Sequence, residues 1–335
     1  MPHAPRFWAQ GSGRLLTALL APVSPLVAAA TARRVARAGW RAPVPVLCVG
    51  NVTIGGAGKT SVALDLVARL RDAGCAAHVL LRGYGGAARG VHRVAPGDAA
   101  ALVGDEALLL AAVAPTWVGA DRAATARAAV AAGAAALVMD DGLQNPTLMK
   151  DLSLLVIDGG FGFGNRRVLP AGPLREPVAA AAARCRAAVL IGADTHDALA
   201  ALPPGLPVLR ARLVADPADA AALRGRRVLA FAGIARPEKF FASLEEAGAA
   251  VVARESFPDH HPFAAAELRR LFDRAARLEA VAVTTAKDAV RLPPGARARV
   301  MVLGITLAWE DPAALLAALG TLRCDGLAGG RTGAA

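Results

Sequence analysis

The sequence predicts an α/β fold, with a mostly parallel sheet covered by helices on both faces and a second, smaller α/β domain after it. Strand-like and helix-like stretches alternate after residue 40, which is typical of parallel sheets. Prolines at positions 203, 204 and 207 mark a boundary, and a second alternating set follows them. A chain of 335 residues is long enough for two such units, although one domain is also compatible with this length.

The elements of the first unit are predicted in order from its apolar runs. Four runs that end in polar or glycine residues are expected to be strands: 44–49, 78–81, 134–139 and 152–157. After the first of them, Val62, Leu66 and Leu70 recur at helical spacing up to Gly74, which favours a helix that stops there. Ligand-binding groups are expected where the strands end, because parallel sheets bind ligands at their carboxyl edge.

The second unit is predicted from a further alternating set. Its expected strands are 228–232, 249–253 and 281–284, with helices over 237–247 and through Leu268 and Leu271. The runs 208–213 and 300–305 flank this unit and are compatible with a two-stranded hinge, and 309–322 is expected to be a closing helix. The predicted division is therefore 1–40 for an N-terminal segment, 41–207 and 208–305 for the two units, and 306–335 for a C-terminal helix and tail.

The N-terminal segment is strongly basic. Six of the arginines lie in residues 1–41, which contain no Asp or Glu, while the whole chain has a net charge of +11. The apolar run 15–30 is shorter than the roughly 20 residues that a spanning helix needs, and Pro22 and Pro25 interrupt it. We expect an amphipathic segment that lies on a membrane surface, with its arginines at anionic head groups. A cleaved secretory signal and a buried helix of the soluble domain are the alternatives.

The sequence argues against a nucleic-acid-binding protein and against a zinc site or disulfide framework. The arginines are not interleaved with aromatic residues and no nucleic-acid motif is present, which argues against a nucleic-acid-binding protein. Four cysteines lie far apart without the spacing of a zinc site or a disulfide framework, and this favours a reducing compartment.

A glycine-rich turn between the first predicted strand and helix carries the strongest chemical signal. Its residues are Thr53, Ile54, Gly55, Gly56, Ala57, Gly58, Lys59 and Thr60. Glycines let backbone N–H groups turn toward phosphate oxygens, Lys59 reaches the β and γ phosphates, and Thr60 offers a hydroxyl to Mg²⁺. This context predicts a P-loop NTPase-like sheet that binds ATP, although Thr53 stands where the strict pattern has glycine. A Rossmann-type turn is the alternative, but such turns do not need the Lys-Thr pair.

Two pairs of acids are placed where a P-loop protein uses carboxylates. Asp140 and Asp141 directly follow the predicted strand 134–139, where a Walker B acid holds Mg²⁺ opposite the loop threonine. Asp105 and Glu106 begin a predicted helix. Acids at a helix start also serve as caps and dipole partners, and this alternative applies more to Asp105 than to Asp140.

Eight short motifs in one order resemble a known family. They are 49–60, Arg82-Gly83-Tyr84-Gly85, Gly104-Asp105-Glu106, Gly119-Ala120-Asp121-Arg122, Asp140-Asp141-Gly142-Leu143-Gln144, Gly164-Asn165 through 170–176, 257–263 with Asp259-His260-His261, and Thr284-Thr285-Ala286-Lys287-Asp288. Together they resemble the tetraacyldisaccharide 4'-kinases of lipid A synthesis, and the resemblance covers nearly the whole chain.

The resemblance implies a reaction and roles for its residues. A kinase of this family would move the γ-phosphate of ATP, with Mg²⁺, to the 4'-hydroxyl of tetraacyldisaccharide 1-phosphate, an anionic glycolipid, and so give lipid IVA. It implies Asp105 as the base, with His261 as the histidine that we expect to orient it or relay its proton. Lys59 and Arg122 would balance charge on the transferring phosphate. The histidine loop would otherwise cap a helix.

The remaining expected site residues bind metal or substrate. The expected ligands of Mg²⁺ are Thr60, Glu106, Asp140, Asp141 and Gln144. The expected substrate contacts are Arg82, Tyr84, Asn165, Arg167 and Arg175, with packing for the tyrosine and surface solvation for the arginines as the alternatives. Because the acyl chains would stay in a bilayer, we expect the protein at the cytoplasmic face of the bacterial inner membrane, with no obligate protein partner.

Two other functions are weighed against this one. A P-loop GTPase should carry an Asn-Lys-x-Asp type motif, and the nearest match, Lys287-Asp288, lacks the asparagine and lies in the second unit. A non-catalytic membrane adaptor that binds nucleotide as a switch would not need the Asp105 and His261 pair.

Overall fold

The strands of the protein form two sheets in a computed structural model that describes residues 5–9, 13–234 and 236–320. The first sheet contains β1 (Val46–Gly50), β2 (Ala77–Leu81), β3 (His92–Arg93), β4 (Thr116–Val118), β5 (Ala136–Asp140), β6 (Leu152–Asp158), β7 (Ala187–Ile191), β8 (Val208–Ala215) and β13 (Ile305–Trp309). The second contains β9 (Arg227–Ala232), β10 (Ala250–Ser256), β11 (Val281–Thr285) and β12 (Met301–Leu303).

The helices connect these strands. They are α1 (Arg14–Leu20), α2 (Ser24–Val35), α3 (Lys59–Asp72), α4 (Ala100–Val103), α5 (Asp105–Ala111), α6 (Arg122–Ala131), α7 (Val178–Ala182), α8 (Pro217–Leu223), α9 (Pro237–Glu246), α10 (Ala265–Arg277), α11 (Ala286–Ala289), α12 (Pro294–Arg297) and α13 (Pro312–Leu319). Short 3-10 turns occupy Arg6–Trp8, Ala21–Val23 and Leu199–Ala201.

The first sheet has the strand order β13-β8-β7-β6-β1-β5-β2-β4-β3. All neighbours from β8 to β4 run parallel, and only the two edge strands, β13 and β3, are antiparallel. The central position of β1 brings the loop that follows it between the ends of β5 and β6. The predicted α/β class and mostly parallel sheet are confirmed.

Helices cover both faces of this sheet because the central strands carry apolar side chains on both faces. The residues of β1 and β5 are buried along their whole length. On one face, Leu47 and Val49 pack in one core with Leu66 of α3. On the other face, Cys48 packs in a second core with Ala126 of α6. This two-sided burial is what a parallel sheet requires.

The second sheet, β10-β9-β11-β12, is entirely parallel and forms the smaller unit that the sequence predicts. Val228 and Ala230 of β9 face a core that includes Leu244 of α9. Leu229 and Phe231 face the other side, where α10 packs. The alternation along β9 therefore places one helix on each face, as in the first unit.

The connection between the units differs from the predicted hinge. The strand that pairs with β8 is β13, in antiparallel register from Ile305 against Ala215 to Trp309 against Ala211, whereas most of the run 300–305 forms β12 of the second sheet. Both chain crossings therefore lie at one side of the first sheet, at the edge strand β13 and its neighbour β8. Residues after 305 complete the first unit, and the end of the predicted helix 309–322 lies outside the described residues.

The segment Arg14–Val35 consists of two α-helices that a 3-10 turn joins at Ala21–Val23, so the α-helix is interrupted near Pro22 and Pro25 as predicted, while the chain continues in the same helical segment. A 3-10 turn at Ala21–Val23 absorbs the prolines at positions where a missing N–H is tolerated. Most of its apolar side chains are exposed, including Leu15 at 86%, which excludes a buried core helix. By length and composition alone this 22-residue stretch is long enough to cross a membrane.

The packing of α13 yields a test of its place in the first unit. Leu315 is fully buried in the core that contains Leu66, while Leu316 is 54% exposed on the same helix. We expect Leu315→Ala to lower the free energy of unfolding by about 2–5 kcal/mol, because a cavity opens in the first core. Leu316→Ala is the matched control and should change it by less than about 0.5 kcal/mol. Chemical denaturation measures both, and equal effects would contradict this placement.

Candidate functional site

The glycine-rich loop leaves β1 at Gly50 and enters α3 at Lys59. Gly55 and Gly58 have φ angles of +117° and +81°, which side chains rarely adopt. A Cβ atom on Gly55 or Gly56 would meet nothing within 4 Å, so open space lies in front of both residues. Among the described residues no side chain caps the N-terminus of α3, and its backbone N–H groups face a loop shaped for phosphate.

Lys59 is held inside this loop by two oxygens. Its Nζ lies 3.1 Å from Asn51 Oδ1 and 3.5 Å from the carbonyl oxygen of Gly55. The ammonium is also 3.7 Å from Asp141 Oδ1. The lysine therefore has its charge at the mouth of the loop, where a triphosphate would replace these weak contacts with stronger ones.

Thr53 explains the departure from the strict glycine pattern. Its hydroxyl accepts a hydrogen bond from Asn51 Nδ2 at 2.9 Å, and its side chain is buried. The same Asn51 amide contacts Lys59 through its oxygen. A threonine here thus orients the group that positions the lysine, a role that glycine does not supply.

Asp140 ends β5 directly opposite the loop threonine. Thr60 Oγ1 donates to Asp140 Oδ2 at 3.0 Å, while Asp140 Oδ1 is buried and has no hydrogen-bond partner among the described residues. Burial raises the pKa of Asp140 to about 6, although Lys59 opposes that rise. A buried carboxylate oxygen without a partner, beside a threonine hydroxyl, fits a hard cation such as Mg²⁺.

Asp141 is already occupied by a cation of the protein. Arg175 donates to both of its carboxylate oxygens, at 2.9 and 3.1 Å. Asp141 adopts a φ of 56°, which turns its side chain away from the strand direction. Burial raises the pKa of Asp141, but Lys59 and Arg175 together lower it further, so it lies below its ordinary value. The substrate contact expected of Arg175 stays a prediction.

The metal contact expected of Gln144 stays a prediction, and in the structure its side chain contacts protein groups. Its Nε2 donates to the Asn51 carbonyl at 3.0 Å and to Glu176 Oε1 at 2.9 Å, and its oxygen accepts from Arg175 at 3.3 Å. Both ends of the amide are therefore engaged by protein groups. Gln144 connects the acids at the end of β5 to the loop behind the glycine turn.

Asp105 lies at the start of α5 and faces the second unit. His260 Nδ1 is 2.7 Å from Asp105 Oδ2, and the Asp105 side chain is only 8% exposed. The hydrogen bond that His260 donates to Asp105 raises the pKa of His260, and burial opposes this rise. A carboxylate and an imidazole from the two units thus meet in one cleft, and the adjacent Glu106 is close enough to Asp140 to add to the effect of burial on the pKa of that acid.

The expected pairing of His261 with Asp105 is wrong, because the neighbouring histidine occupies that place. His260 has a φ of 59°, and this left-handed residue turns the two rings to different sides. His261 Nε2 contacts Glu267 Oε2 at 2.9 Å, and its ring stacks on Phe257. His261 therefore serves the loop and the start of α10, which is the capping role weighed from the sequence.

Glu106 also reaches across to the second unit. Its Oε1 lies 3.5 Å from Lys287 Nζ, and its charge contributes to the raised pKa of Asp140, for which burial is the largest cause. Its role as a metal ligand stays a prediction. No cluster of three His, Cys, Asp or Glu residues in the described part of the chain forms a protein-only metal cage. This suits Mg²⁺, which protein sites commonly hold with one or two carboxylates and substrate phosphates.

Arg122 is a buried cation on the other side of the acids. It begins α6, donates through Nη1 to the carbonyl of Gly119, and has no hydrogen-bond partner on Nε within the described residues. Burial lowers its pKa to about 10, so the guanidinium stays charged at neutral pH. Arg82 is near enough to contribute to this lowering, and both arginines therefore add positive potential to the cleft.

The other expected substrate residues divide into exposed groups and one scaffold residue. Tyr84 and Arg167 are exposed, and Tyr84 lies between two glycines in the separate loop that follows β2. Asn165 donates through Nδ2 to the carbonyls of Phe7 and Ala171, and its oxygen accepts the amide of Arg167. Its expected substrate contact stays a prediction, and in the structure the amide connects the N-terminal turn to this loop.

Two residues of the site were missed from the sequence. Asn51 contacts Lys59, and its position next to the glycine turn was the available signal. Arg291 lies 3.5 Å from Asp105 through its Nε, from a position three residues after Asp288. Nothing in the sequence alone relates Arg291 to Asp105, because the contact crosses the two units.

Comparisons with known proteins relate the chain to one family. The family model described as Tetraacyldisaccharide-1-P 4'-kinase matches residues 16–322. The chain is similar to a Tetraacyldisaccharide 4'-kinase of Gluconacetobacter diazotrophicus, with 61% identity over 93% of this chain and 95% of the relative. It is also similar to one of Rhodospirillum centenum, with 60% identity over 92% of this chain and 93% of the relative.

A solved structure has a similar fold. It is the crystal structure of the "apo" form of LpxK from Aquifex aeolicus in complex with ATP. The TM-score is 0.73 at 26% sequence identity, and the match covers 92% of this chain and 100% of that one. The similarity therefore spans both units.

The pKa values of the adjacent acids Asp140 and Asp141 are shifted in opposite directions, so neutralising each of them should change the free energy of unfolding with opposite sign. The raised folded-state pKa of Asp140 means that its ionisation destabilises the fold as pH rises from about 4 to about 6. We therefore expect Asp140→Asn, in metal-free buffer at pH 8, to increase the free energy of unfolding by roughly 2–3 kcal/mol. This gain should vanish near pH 4, and chemical denaturation across that range measures it.

Asp141→Asn is the matched control, because asparagine tolerates the same left-handed backbone. Its lowered pKa means that the ionised form stabilises the fold above the unfolded-state pKa and loses this effect in acid. We expect the variant to be less stable than the parent at pH 8, with the gap closing as the pH falls. Effects of the same sign for both variants would contradict the assigned environments.

Proposed function

The chain belongs to the Tetraacyldisaccharide-1-P 4'-kinase family, and from this we propose that it transfers the γ-phosphate of ATP to the 4'-hydroxyl of tetraacyldisaccharide 1-phosphate. The product is lipid IVA, an intermediate of lipid A synthesis. The observation that carries the proposal is the Asp105–His260 pair, in which a carboxylate of the first unit and an imidazole of the second lie 2.7 Å apart. A nucleotide switch does not need such a pair.

The phosphate donor binds to the glycine loop in this proposal. Open space at Gly55 and Gly56 lets backbone N–H groups approach the phosphates, and Lys59 neutralises the charge of the terminal one. Arg122 adds a second, buried cation that stays protonated at neutral pH. Both charges are fixed before the substrate arrives, which favours the transition state because little reorganisation is needed.

Asp105 accepts the proton of the attacking hydroxyl. A sugar hydroxyl is a weak nucleophile, and a positioned carboxylate commonly accelerates such a proton transfer by about 10²–10⁴-fold. His260 fixes the carboxylate through the 2.7 Å contact, which leaves the second oxygen of Asp105 for the hydroxyl. The raised pKa of His260, caused first by this hydrogen bond, favours the protonated ring that holds Asp105 ionised.

Mg²⁺ fits the residues at the end of β5. Asp140 Oδ1 is buried without a partner among the described residues, and the Thr60 hydroxyl lies against the same carboxylate. These two residues would hold the ion, and Glu106 contributes negative charge nearby. When bound, the ion would neutralise charge on the phosphates during transfer. Asp141 stabilises Lys59 and Arg175 and leaves the metal position to Asp140.

A GTPase function is disfavoured by the surroundings of Asp288. This carboxylate is fully buried and accepts from Thr285 at 2.6 Å and from the amide of Gly233 at 3.1 Å. A guanine-binding aspartate must instead present both oxygens to the base. The Lys287-Asp288 pair therefore serves the second unit.

The N-terminal helix would bring the enzyme to its substrate. Leu15, Leu19 and Leu26 are exposed at 86%, 73% and 71%, and no acid lies among them. Arg14 and Arg33 lie near the two ends of the helix, where basic side chains reach anionic head groups. We propose that the helix rests at the cytoplasmic face of the bacterial inner membrane, where ATP is available and the acyl chains stay in lipid.

The function is tested by incubating the protein with γ-labelled ATP, Mg²⁺ and a panel of acceptors: the disaccharide lipid, free sugars, nucleosides and water. We expect label only on the 4' position of the disaccharide lipid. Lys59→Ala should abolish the transfer, because the charge that develops on the phosphate loses its nearest cation. Label on a nucleoside or in free phosphate, with none on the lipid, would overturn the proposal.

The two histidines separate the roles assigned in the cleft. We expect His260→Ala to lower kcat at least 10²-fold with ATP affinity kept, because Asp105 loses its partner. His261→Ala is the neighbouring control and should lower kcat much less, since His261 contacts Glu267. Steady-state kinetics with equilibrium ATP binding measures both, and the reverse order of effects would contradict the pairing.

The membrane role is tested with full-length protein and vesicles. We expect a Leu15→Ser, Leu19→Ser, Leu26→Ser variant to bind vesicles containing phosphatidylglycerol more weakly, because apolar area is lost from the exposed helix face. The control replaces two exposed apolar residues elsewhere, Leu213 and Leu316, by serine. Flotation measures the bound fraction. Equal loss in both variants would argue against a dedicated membrane face.

A further inference from the structure

Arg291 is buried at the boundary between the two units. Its side chain is 6% exposed, and its Nε lies 3.5 Å from Asp105 Oδ2. This is the same carboxylate oxygen that His260 contacts at 2.7 Å. A buried arginine needs several partners to offset the loss of water, so each of its contacts bears on why it lies here.

The first partner of Arg291 is Asp288, three residues earlier. Arg291 Nη2 donates to Asp288 Oδ1 at 2.6 Å, and Asp288 is fully buried. The hydroxyl of Thr285 donates to the other oxygen of Asp288 at 2.6 Å. Asp288 thus fixes the guanidinium within its own unit, and its charge offsets that of the arginine.

The second set of partners belongs to the loop that carries His260. Arg291 Nη2 donates to the carbonyl of Gly233 at 3.0 Å, and Nη1 donates to the carbonyl of His261 at 3.4 Å. The amide of His260 donates to the same Gly233 carbonyl at 3.1 Å. The arginine therefore ties together both sides of the turn on which His260 sits.

This turn needs external support because of its backbone. His260 has a φ of 59°, a conformation that L residues rarely adopt. A Cβ atom on Gly233 would lie 3.1 Å from Asp288 Oδ1 and 3.2 Å from His261 Cβ, so the glycine allows the close approach. The surroundings, and Arg291 among them, hold His260 in an orientation that its own backbone preference does not favour.

Lys287 provides a second contact between the same short segment and the acids of α5. Its Nζ is 3.5 Å from Glu106 Oε1. Arg291 and Lys287 thus each face one member of the Asp105-Glu106 pair. The lysine side chain is 44% exposed, so the solvent screens its pair, whereas the arginine pair is buried.

We propose that Arg291 is a positioning residue for the transfer reaction. Its single planar guanidinium contacts both the His260 turn and the Asp105 carboxylate, and so fixes the position of one relative to the other across the two units. The proposal rests on the proposed kinase function. Arginine suits this role because its planar group donates in fixed directions to four acceptors, the carbonyls of Gly233, His261 and Lys287 and the carboxylate of Asp288, and still places its charge 3.5 Å from Asp105. Lysine is a point charge on a flexible stem. Arg291 acts through His260 and Asp105 and does not touch the reacting atoms.

The test is a double-mutant cycle with purified full-length protein, labelled ATP and the disaccharide lipid. We expect Arg291→Met to lower kcat about 100-fold, as a small misplacement of a reacting group does, with the Kd for ATP unchanged. In a His260→Ala background the same substitution should cost less than about threefold, because its target is gone. Equal losses in both backgrounds would show a general structural effect and overturn the proposal.

Two further variants keep the test decisive. Arg291→Met leaves Asp288 buried without its cation, so Arg291→Met/Asp288→Asn removes both charges and is used in the cycle if the single variant does not fold. Arg291→Lys keeps the charge without the fork and should recover only part of kcat. Full recovery by lysine would mean that charge alone suffices, and would overturn the proposal.

An exposed arginine of the same unit is the matched control. Arg274 forms an ion pair with Glu255 at the surface, away from the cleft, and Arg274→Met should leave kcat within about twofold of the parent. A parent protein that transfers no phosphate would refute the kinase function itself. An active parent with an active Arg291→Met variant would refute only the role of Arg291.

Discussion

The contact between Asp105 and His260 is the interaction on which the rest of the site depends. The two residues are 155 positions apart and belong to different units, so neither unit alone contains the pair. The parallel sheet delivers Asp105 and the glycine loop to one edge, and the second sheet delivers the His260 turn from the other side. The fold therefore brings a carboxylate, an imidazole and a phosphate loop into one cleft.

Opposite charges at close range organise that cleft in the absence of substrate. Lys59 is near Asp141, Arg175 holds the same acid, and Arg122 lies buried beside both strand-end acids. Of the two acids at the end of β5, Asp140 alone has a buried oxygen without a hydrogen-bond partner among the described residues. Asp141 contacts both Lys59 and Arg175 and so stabilises two of these cations at once. It can stay in place when phosphate binds. This arrangement separates the acid that supports cations from the acid suited to a metal ion.

The sequence predicted the parts of the fold that have long, regular signals. Strands β1, β2, β5 and β6 follow apolar runs and were found within two residues of their ends. Strands β4 and β7 were missed, because β4 has three residues and β7 lies in an alanine-rich stretch without a distinct period. The pairing of β8 with β13 was misplaced, since register between strands some 90 residues apart is set by packing that no local pattern records.

The candidate site shows the same division between local and distant information. The glycine loop, Asp105 and Asp140 were predicted because each stands in a local context with a physical meaning. The choice between His260 and His261 was wrong, because a single left-handed φ angle decides which ring faces Asp105. The ligand contacts predicted for Gln144 and Asn165 stay predictions, but the structure adds that their amides donate to the carbonyls of Asn51 and Phe7, which are distant in sequence. Residue types suggest chemistry, but the available hydrogen-bond partners decide it.

The return of the chain to the first sheet has a consequence for biosynthesis. Strand β13 begins at residue 305, and α13 then fills the core beside α3. The smaller sheet, inserted between β8 and β13, is complete in the nascent polypeptide before the larger one receives its last strand. During translation the smaller sheet can therefore form first. A chain that ended at residue 304 would contain all four strands of the small sheet, while β8 of the large sheet would lack its partner β13.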